Sequence, residues 1–132
     1  MTTLAAVGIG AGIAATFLHW RPFRVEIEGP SMSPTLEPGD WALAVAVGQL
    51  RRRDVVVIEH PTRPGFEVVK RIIARPGELT SVGRLLRSDE FWVEGDNRGA
   101  STDSRQFGPV TRDRIRARIR LVYWPMSRRR IL

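Results

Sequence analysis

The chain contains no cysteine among its 132 residues. This absence excludes disulfide bonds, cysteine nucleophiles and thiolate metal ligands. Histidine is scarce as well, because only His19 and His60 occur, one at the end of an apolar segment and one before Pro61. Neither position is typical of a catalytic base, so we do not expect a serine–histidine–aspartate triad.

Lysine is the second scarce residue, since Lys70 is the only one beside 20 arginines. It lies in the apolar run Val68–Ile73. A desolvated lysine amine can lose its proton near neutral pH, whereas a guanidinium stays protonated. We therefore interpret Lys70 as a general base, which needs a hydroxyl group to deprotonate. Ser31 offers one within the turn-rich segment Gly29–Leu36.

Charged residues are missing from the first 20 residues. The apolar run from Leu4 to Trp20 is near the lower length limit for a bilayer span, and Arg21 follows it as a basic flank. A cleavable signal peptide would begin with a positively charged region, which is not present here. We predict an uncleaved, single-pass transmembrane anchor over residues 1–22, with the lipid bilayer as its partner.

The remainder of the chain alternates short apolar runs with glycine and proline. The pattern predicts strands within Arg24–Glu28, Trp41–Val47, Val55–Ile58, Phe66–Ala74, Phe91–Glu94 and Ile115–Trp124. With no convincing soluble helix, this is typical of a mostly β fold, a small barrel or folded sheet. We expect one catalytic domain over residues 23–126, followed by a solvated basic tail over residues 127–132.

Three segments resemble the type I signal peptidase family. They are Ser31–Leu36, Lys70–Ile73 with Pro76-Gly77, and Gly95–Arg105, and they follow the order of the family's motifs. The strand from Arg53 to Val57 is also similar, although the family usually has glycine where Arg53 stands. The large second domain of some signal peptidases is absent. The short form resembles mitochondrial inner-membrane peptidases and the maturation proteases of nickel superoxide dismutase.

The resemblance implies a serine protease with a Ser-Lys dyad. Ser31 is similar to the nucleophile, Lys70 to the general base, and Ser101 to the hydroxyl that orients the lysine amine. Some members place a serine of the oxyanion hole where this chain has Gly29, so backbone N–H groups, including that of Ser31, are expected to stabilise the oxyanion.

Two further sets of residues come from the same resemblance. Positions that support the site through ion pairs are matched by Arg71, Asp96, Asp103 and Arg105. Shallow substrate pockets for a peptide bound as an added strand are expected at Ile27, Met32, Leu36, Val68 and Val69. The apolar character of the second set fits a plain hydrophobic core equally well.

The implied function is a membrane-anchored serine endopeptidase that removes N-terminal signal peptides or propeptides after small residues. Its partners would be precursor proteins, and it requires no metal and no cofactor. We expect the plasma membrane as its location, with the catalytic domain outside the cytoplasm, although Arg21 and Arg24 after the anchor favour the opposite side.

Two alternatives remain open at this stage. One is a maturation protease dedicated to a single precursor, such as a cytoplasmic precursor like that of nickel superoxide dismutase. The other is a non-catalytic, membrane-tethered basic module, because a net charge of +7 also suits anionic surfaces. We expect no nucleic-acid partner.

Overall fold

The computed structural model describes residues 22–132. The predicted anchor therefore lies outside the described residues, apart from Pro22. Between residues 22 and 132, no helix has the length and apolar character needed to cross a membrane.

The described residues form eight strands and one short α-helix. The strands are β1 (Phe23–Glu26), β2 (Trp41–Val45), β3 (Val55–Glu59), β4 (Glu67–Ala74), β5 (Glu90–Glu94), β6 (Val110–Thr111), β7 (Ile115–Trp124) and β8 (Arg130–Ile131). The helix is α1 (Ser104–Phe107), and single 3-10 turns lie at Arg98–Ala100, Arg112–Arg114 and Met126–Arg128. The prediction of a mostly β fold is confirmed.

The strands pair into one antiparallel sheet in the order β1-β2-β7-β3-β4-β5-β6, with β8 added beside β7. In the described part of the chain, β1 and β6 are the ends of this path, so the sheet is folded and not a hydrogen-bonded closed barrel. A second open edge exists within the sheet. Because β5 pairs with β4 only from Arg71 onward, the first residues of β4 are paired on the β3 side alone.

Strand β3 divides two hydrophobic cores. Its side chains alternate, so Val55 and Val57 enter a first core, which includes Met32 and Leu36. Val56 and Ile58 enter a second core, together with Ile72 of β4, Val93 of β5 and four other buried side chains. The first core thus anchors the segment that carries Ser31, and the second anchors the strand that carries Lys70.

The segment predicted to be a solvated tail is folded against the domain. Arg130 and Ile131 pair with Val122 and Leu121 of β7, and Leu132 packs against the first core. The sequence does not indicate this strand, because three consecutive arginines are compatible both with a solvated tail and with a strand whose side chains contact the protein surface.

Candidate active site

Strand β4 buries Lys70 in an apolar environment. Its partner across the ladder is Val56 of β3, and its side chain is only 3% exposed. Val68 and Ile72, two positions away on either side, share its face of the strand and pack on the second core. Burial lowers the pKa of Lys70, Asp103 opposes this by favouring the charged amine, and Arg105 lowers the pKa further.

Ser101 connects the lysine amine to a buried carboxylate. The Lys70 Nζ lies 3.1 Å from the Ser101 Oγ, and the Ser101 hydroxyl donates to the Asp103 Oδ2 at 2.7 Å. Because its only proton is directed at Asp103, the Ser101 oxygen presents lone pairs to Lys70. The Lys70 amine therefore donates one hydrogen bond to Ser101, and this bond fixes the orientation of the amine.

Asp103 is a fully buried anion held by several donors. Burial alone would raise its pKa, but hydrogen bonds from the Arg105 side chain, the Gly95 N–H and the Ser101 hydroxyl lower the pKa to about 2. The same residue is the N-cap of α1, where its carboxylate accepts from the Arg105 N–H and its own N–H donates to Gln106. The carboxylate therefore stays ionised at any working pH.

Ser31 is brought to this site through its backbone. The Ser31 carbonyl accepts from the Asn97 N–H at 2.9 Å, and the Asn97 side chain donates to the Pro30 carbonyl at 3.1 Å. A Cβ atom on Gly95 would lie 2.6 Å from both the Ser31 carbonyl oxygen and the Ser101 Cβ. Only glycine permits this approach, so at Gly95 the Ser31 backbone and the Ser101 side chain lie close together.

The Ser31 side chain and amide are not engaged by other groups. In the part of the chain that the structure describes, the Ser31 Oγ makes no hydrogen bond to Lys70, and the Ser31 N–H makes no hydrogen bond. Catalytic hydrogen bonds often tighten only when substrate is bound, and an unengaged N–H is what an oxyanion donor requires. Gly29, two residues earlier, has a φ of +74°.

Arg71 and Asp96 form a second support, on the outer side of β4. The guanidinium donates to Asp96 through Nε and Nη2 at 2.8 Å each, and through Nη1 to the Arg53 carbonyl at 2.7 Å. Burial would raise the pKa of Asp96, but Arg71 and Thr35 lower it. This pair ties β4 to the loop after β5 and to the turn before β3.

A groove of about 460 Å³ begins beside Ser31 and runs between β1 and the start of β4. Of the predicted pocket residues, Ile27, Met32, Val68 and Val69 line it. Leu36 is fully buried in the first core and is not part of the groove lining in the described structure. Over residues 22–132, no cluster of three His, Cys, Asp or Glu side chains could hold a metal ion.

Two contacts of the site were not anticipated from the sequence. Gly95 and Asn97 belong to the loop Gly95–Arg105, yet the motif alone does not say that they contact the Ser31 turn. The side chain of Arg128 reaches the buried Asp40, the last residue of the loop Gly29–Asp40 that carries Ser31. Sequence pattern gives no signal for this pair, because 88 positions separate its members.

Comparisons with known proteins identify the family. A family model described as signal peptidase, peptidase S26 matches residues 1–84 and 79–124. Mitochondrial inner membrane protease subunit 2 of Mus musculus is 32% identical over 135 residues, which span 91% of this chain and 77% of that protein. Subunit 1 of Homo sapiens is 34% identical over 116 residues, which span 78% and 70%.

A plant protein gives a similar result. Mitochondrial ATP-independent inner membrane protease subunit 1a of Arabidopsis thaliana is 39% identical over 115 residues, which span 75% of this chain and 68% of that protein. These relatives are named as proteases of the mitochondrial inner membrane, which contradicts the expected plasma-membrane location, and that expectation is wrong. The expectation followed family precedent, and the charges that flank a span bear on its orientation and do not identify its membrane.

The resemblance inferred from the three motif segments is confirmed by these matches, which support a peptidase that acts on precursor proteins. The chain belongs to the signal peptidase, peptidase S26 family.

Proposed function

We propose that this chain is a membrane-anchored serine endopeptidase that uses Ser31 and Lys70 to remove N-terminal signal peptides or propeptides after small residues. One observation carries the proposal. The buried Lys70 amine lies 3.1 Å from the Ser101 hydroxyl, and Ser101 meets the Ser31 turn at Gly95. Ser31 lines the groove, and the base of lowered pKa contacts Ser101, which lies beside the Ser31 backbone at Gly95.

The first half of the reaction is acylation. Neutral Lys70 accepts the proton of the Ser31 hydroxyl while the Ser31 Oγ attacks the scissile carbonyl carbon. The carbonyl oxygen becomes an oxyanion, which the Ser31 N–H stabilises. When the tetrahedral intermediate collapses, the C–N bond breaks, and the Lys70 ammonium gives its proton to the leaving amine.

The second half is deacylation. Lys70, neutral again, takes a proton from a water molecule as that water attacks the ester carbonyl of the acyl-enzyme. Collapse of the second intermediate breaks the bond to the Ser31 Oγ, which regains its proton from Lys70. Throughout the reaction Ser101 orients the Lys70 amine, and Asp103 accepts the Ser101 proton, which therefore points away from the amine.

The groove favours an extended peptide as substrate. Strand β1 and the start of β4 border it with open edges, to which a peptide can add as a further strand. Ile27, Met32 and Val69 give the groove apolar walls close to Ser31, which suit small side chains before the scissile bond. An anchor over residues 1–22 would hold this groove at a membrane surface, where precursor proteins emerge.

The test is cleavage of a peptide containing an Ala-x-Ala segment by the full chain in detergent micelles. Ser31→Ala and Lys70→Arg should each lower kcat/KM by about 10³-fold or more, because the arginine cannot accept a proton and the two residues act as a unit. Ser88→Ala is the matched control, because Ser88 is exposed and lies outside both the groove lining and the segment Gly29–Asp40. Substantial cleavage by folded Lys70→Arg protein would refute the dyad.

A further inference from the structure

The last residues of the chain contact the loop that carries Ser31. We define the Ser31 loop as Gly29–Asp40. Its two ends are closed by backbone hydrogen bonds, from the Ile27 N–H to the Asp40 carbonyl at 2.8 Å and from the Gly39 N–H to the Ile27 carbonyl at 2.9 Å. Met32 and Leu36 fasten its inner side to the first core.

Arg128 holds the outer side of this loop at two points. Its Nε donates to the Asp40 Oδ1 at 2.8 Å, and its Nη2 donates to the Pro34 carbonyl at 3.3 Å. The Asp40 side chain is 1% exposed, and its other oxygen accepts from the Glu37 N–H. A buried carboxylate needs such partners, so Arg128 both neutralises Asp40 and spans the loop from Pro34 to its closing residue.

Arg130 makes a third contact of the same kind. Its guanidinium donates to the Thr35 carbonyl, while the Thr35 hydroxyl faces the guanidinium of Arg71 and lowers the pKa of Asp96 by hydrogen bonding. The charge of Arg130 also lowers the pKa of Asp96. The end of the chain is thereby connected to the ion pair that supports β4, the strand of Lys70.

We propose that the C-terminal segment Met126–Ile131 is a positioning element, which uses Arg128 and Arg130 to hold the Ser31 loop in register with Lys70. The inference rests on the proposed function of Ser31 and Lys70. Arg129, between the two arginines, provides a contrast, because within residues 22–132 its side chain donates only to the Met126 sulfur, at 4.0 Å. Two of three consecutive arginines therefore face the loop and one does not.

The experiment compares Arg128→Ala, Arg130→Ala and Arg129→Ala in the full chain, with kcat and KM measured on the same peptide. A misplacement of the nucleophile slows acylation more than it weakens binding. The first two variants should lower kcat about tenfold with KM within about twofold, and Arg129→Ala should match the wild type. Arg128→Lys, which keeps the charge against Asp40 but cannot reach both partners, should recover part of the rate.

Hydrogen exchange supplies a readout that is independent of catalysis. The Leu36 and Gly39 amides, which are bonded within the loop and across its neck, should exchange faster in Arg128→Ala and Arg130→Ala than in Arg129→Ala. Arg130→Ala leaves no buried charge unpaired, so it keeps the test decisive if Arg128→Ala fails to fold.

Equal kcat values and equal exchange in folded Arg130→Ala and Arg129→Ala would overturn the positioning role. A lower melting temperature with unchanged kcat per folded molecule would also overturn it, since that is the result of a merely structural contact. Retained cleavage by Ser31→Ala, run in parallel, would instead refute the proposed function and leave the exchange result to judge the positioning element by itself.

Discussion

The environment of residue 70 explains why this position holds lysine and not arginine. The Lys70 side chain is 3% exposed, and its amine has a single hydrogen-bond partner, Ser101, in the described structure. A guanidinium carries five N–H donors and cannot become neutral, so at this position it would leave several buried donors unpaired. An amine can lose its charge in the same environment. The proposed role as a base and the cost of burying a side chain therefore both favour lysine over arginine at position 70.

Arg53 shows the opposite situation, a residue whose side chain does not suit its backbone. It is the one non-glycine residue with a positive φ, 75°, within residues 22–132. The left-handed conformation costs an L-residue about 1–2 kcal/mol. Glycine avoids this cost, but it loses more conformational entropy on folding, so only part of the cost is recovered. The contacts of Arg53 with Ile72 and Arg71 are made by its backbone.

We therefore predict that Arg53→Gly raises the free energy of unfolding by about 0.5–1 kcal/mol. Thermal or urea denaturation measures the change. Arg51→Gly is the control with the opposite sign, because it adds the entropic cost of glycine with no positive φ to relieve. Equal destabilisation by both variants would show that the Arg53 side chain itself contributes.

Among the elements, the long alternating strands were the most predictable from the sequence. Strand β7 has the predicted bounds, since its apolar positions alternate with arginine over ten residues. The two-residue strands β6 and β8 were not predicted, because they are too short for a period to appear. The Asn97 and Arg128 contacts also escaped prediction, because they join segments far apart in the chain.

Helix α1 has only four residues and lies beside the candidate active site. Four residues cannot form a stable helix alone, so α1 depends on its capping box, in which the Gln106 side chain accepts from the Asp103 N–H at 2.9 Å. The cap also fixes the backbone around Asp103, which orients Ser101.

We predict that Gln106→Ala destabilises the protein by about 0.5–2 kcal/mol and lowers kcat modestly through the loosened Asp103. Chemical denaturation and peptide cleavage measure the two effects. Gln49→Ala, at the only other glutamine and on an exposed loop, should change neither. Wild-type stability in Gln106→Ala would mean that Arg105 and Gly95 alone hold Asp103 in place.

Across the whole molecule, much of the positive charge is used internally. Within residues 22–132, nine arginines form ion pairs with carboxylates, namely Arg52, Arg71, Arg75, Arg84, Arg105, Arg114, Arg116, Arg118 and Arg128. Exposed pairs of this type contribute little each, but they join loops to strands. This use of arginine weakens the alternative of a non-catalytic basic module, which would need its cations free for an anionic surface.

The activity and the stability of the molecule should respond to acid at different pH values. In the proposed mechanism the reaction needs neutral Lys70, whose pKa is lowered by burial, so the rate should rise as the pH rises through that pKa. Stability needs ionised Asp103, whose pKa is about 2 in the folded state and about 3.9 when unfolded. Because the folded value is the lower one, Asp103 contributes about 2 kcal/mol above pH ~4. That contribution is lost as the pH falls towards 2.

We therefore predict that the rate falls on acidification while the protein is still folded, and that the lost activity returns when the pH is raised again. Near-UV circular dichroism and peptide cleavage on the same samples measure the two properties. Asp103→Asn should be less stable at neutral pH and lose most of the dependence of stability on pH between about 4 and 2, whereas Asp89→Asn, at an exposed carboxylate, should keep it. Simultaneous loss of activity and fold on acidification would contradict a lysine base, because the rate would then report unfolding and not the protonation of Lys70.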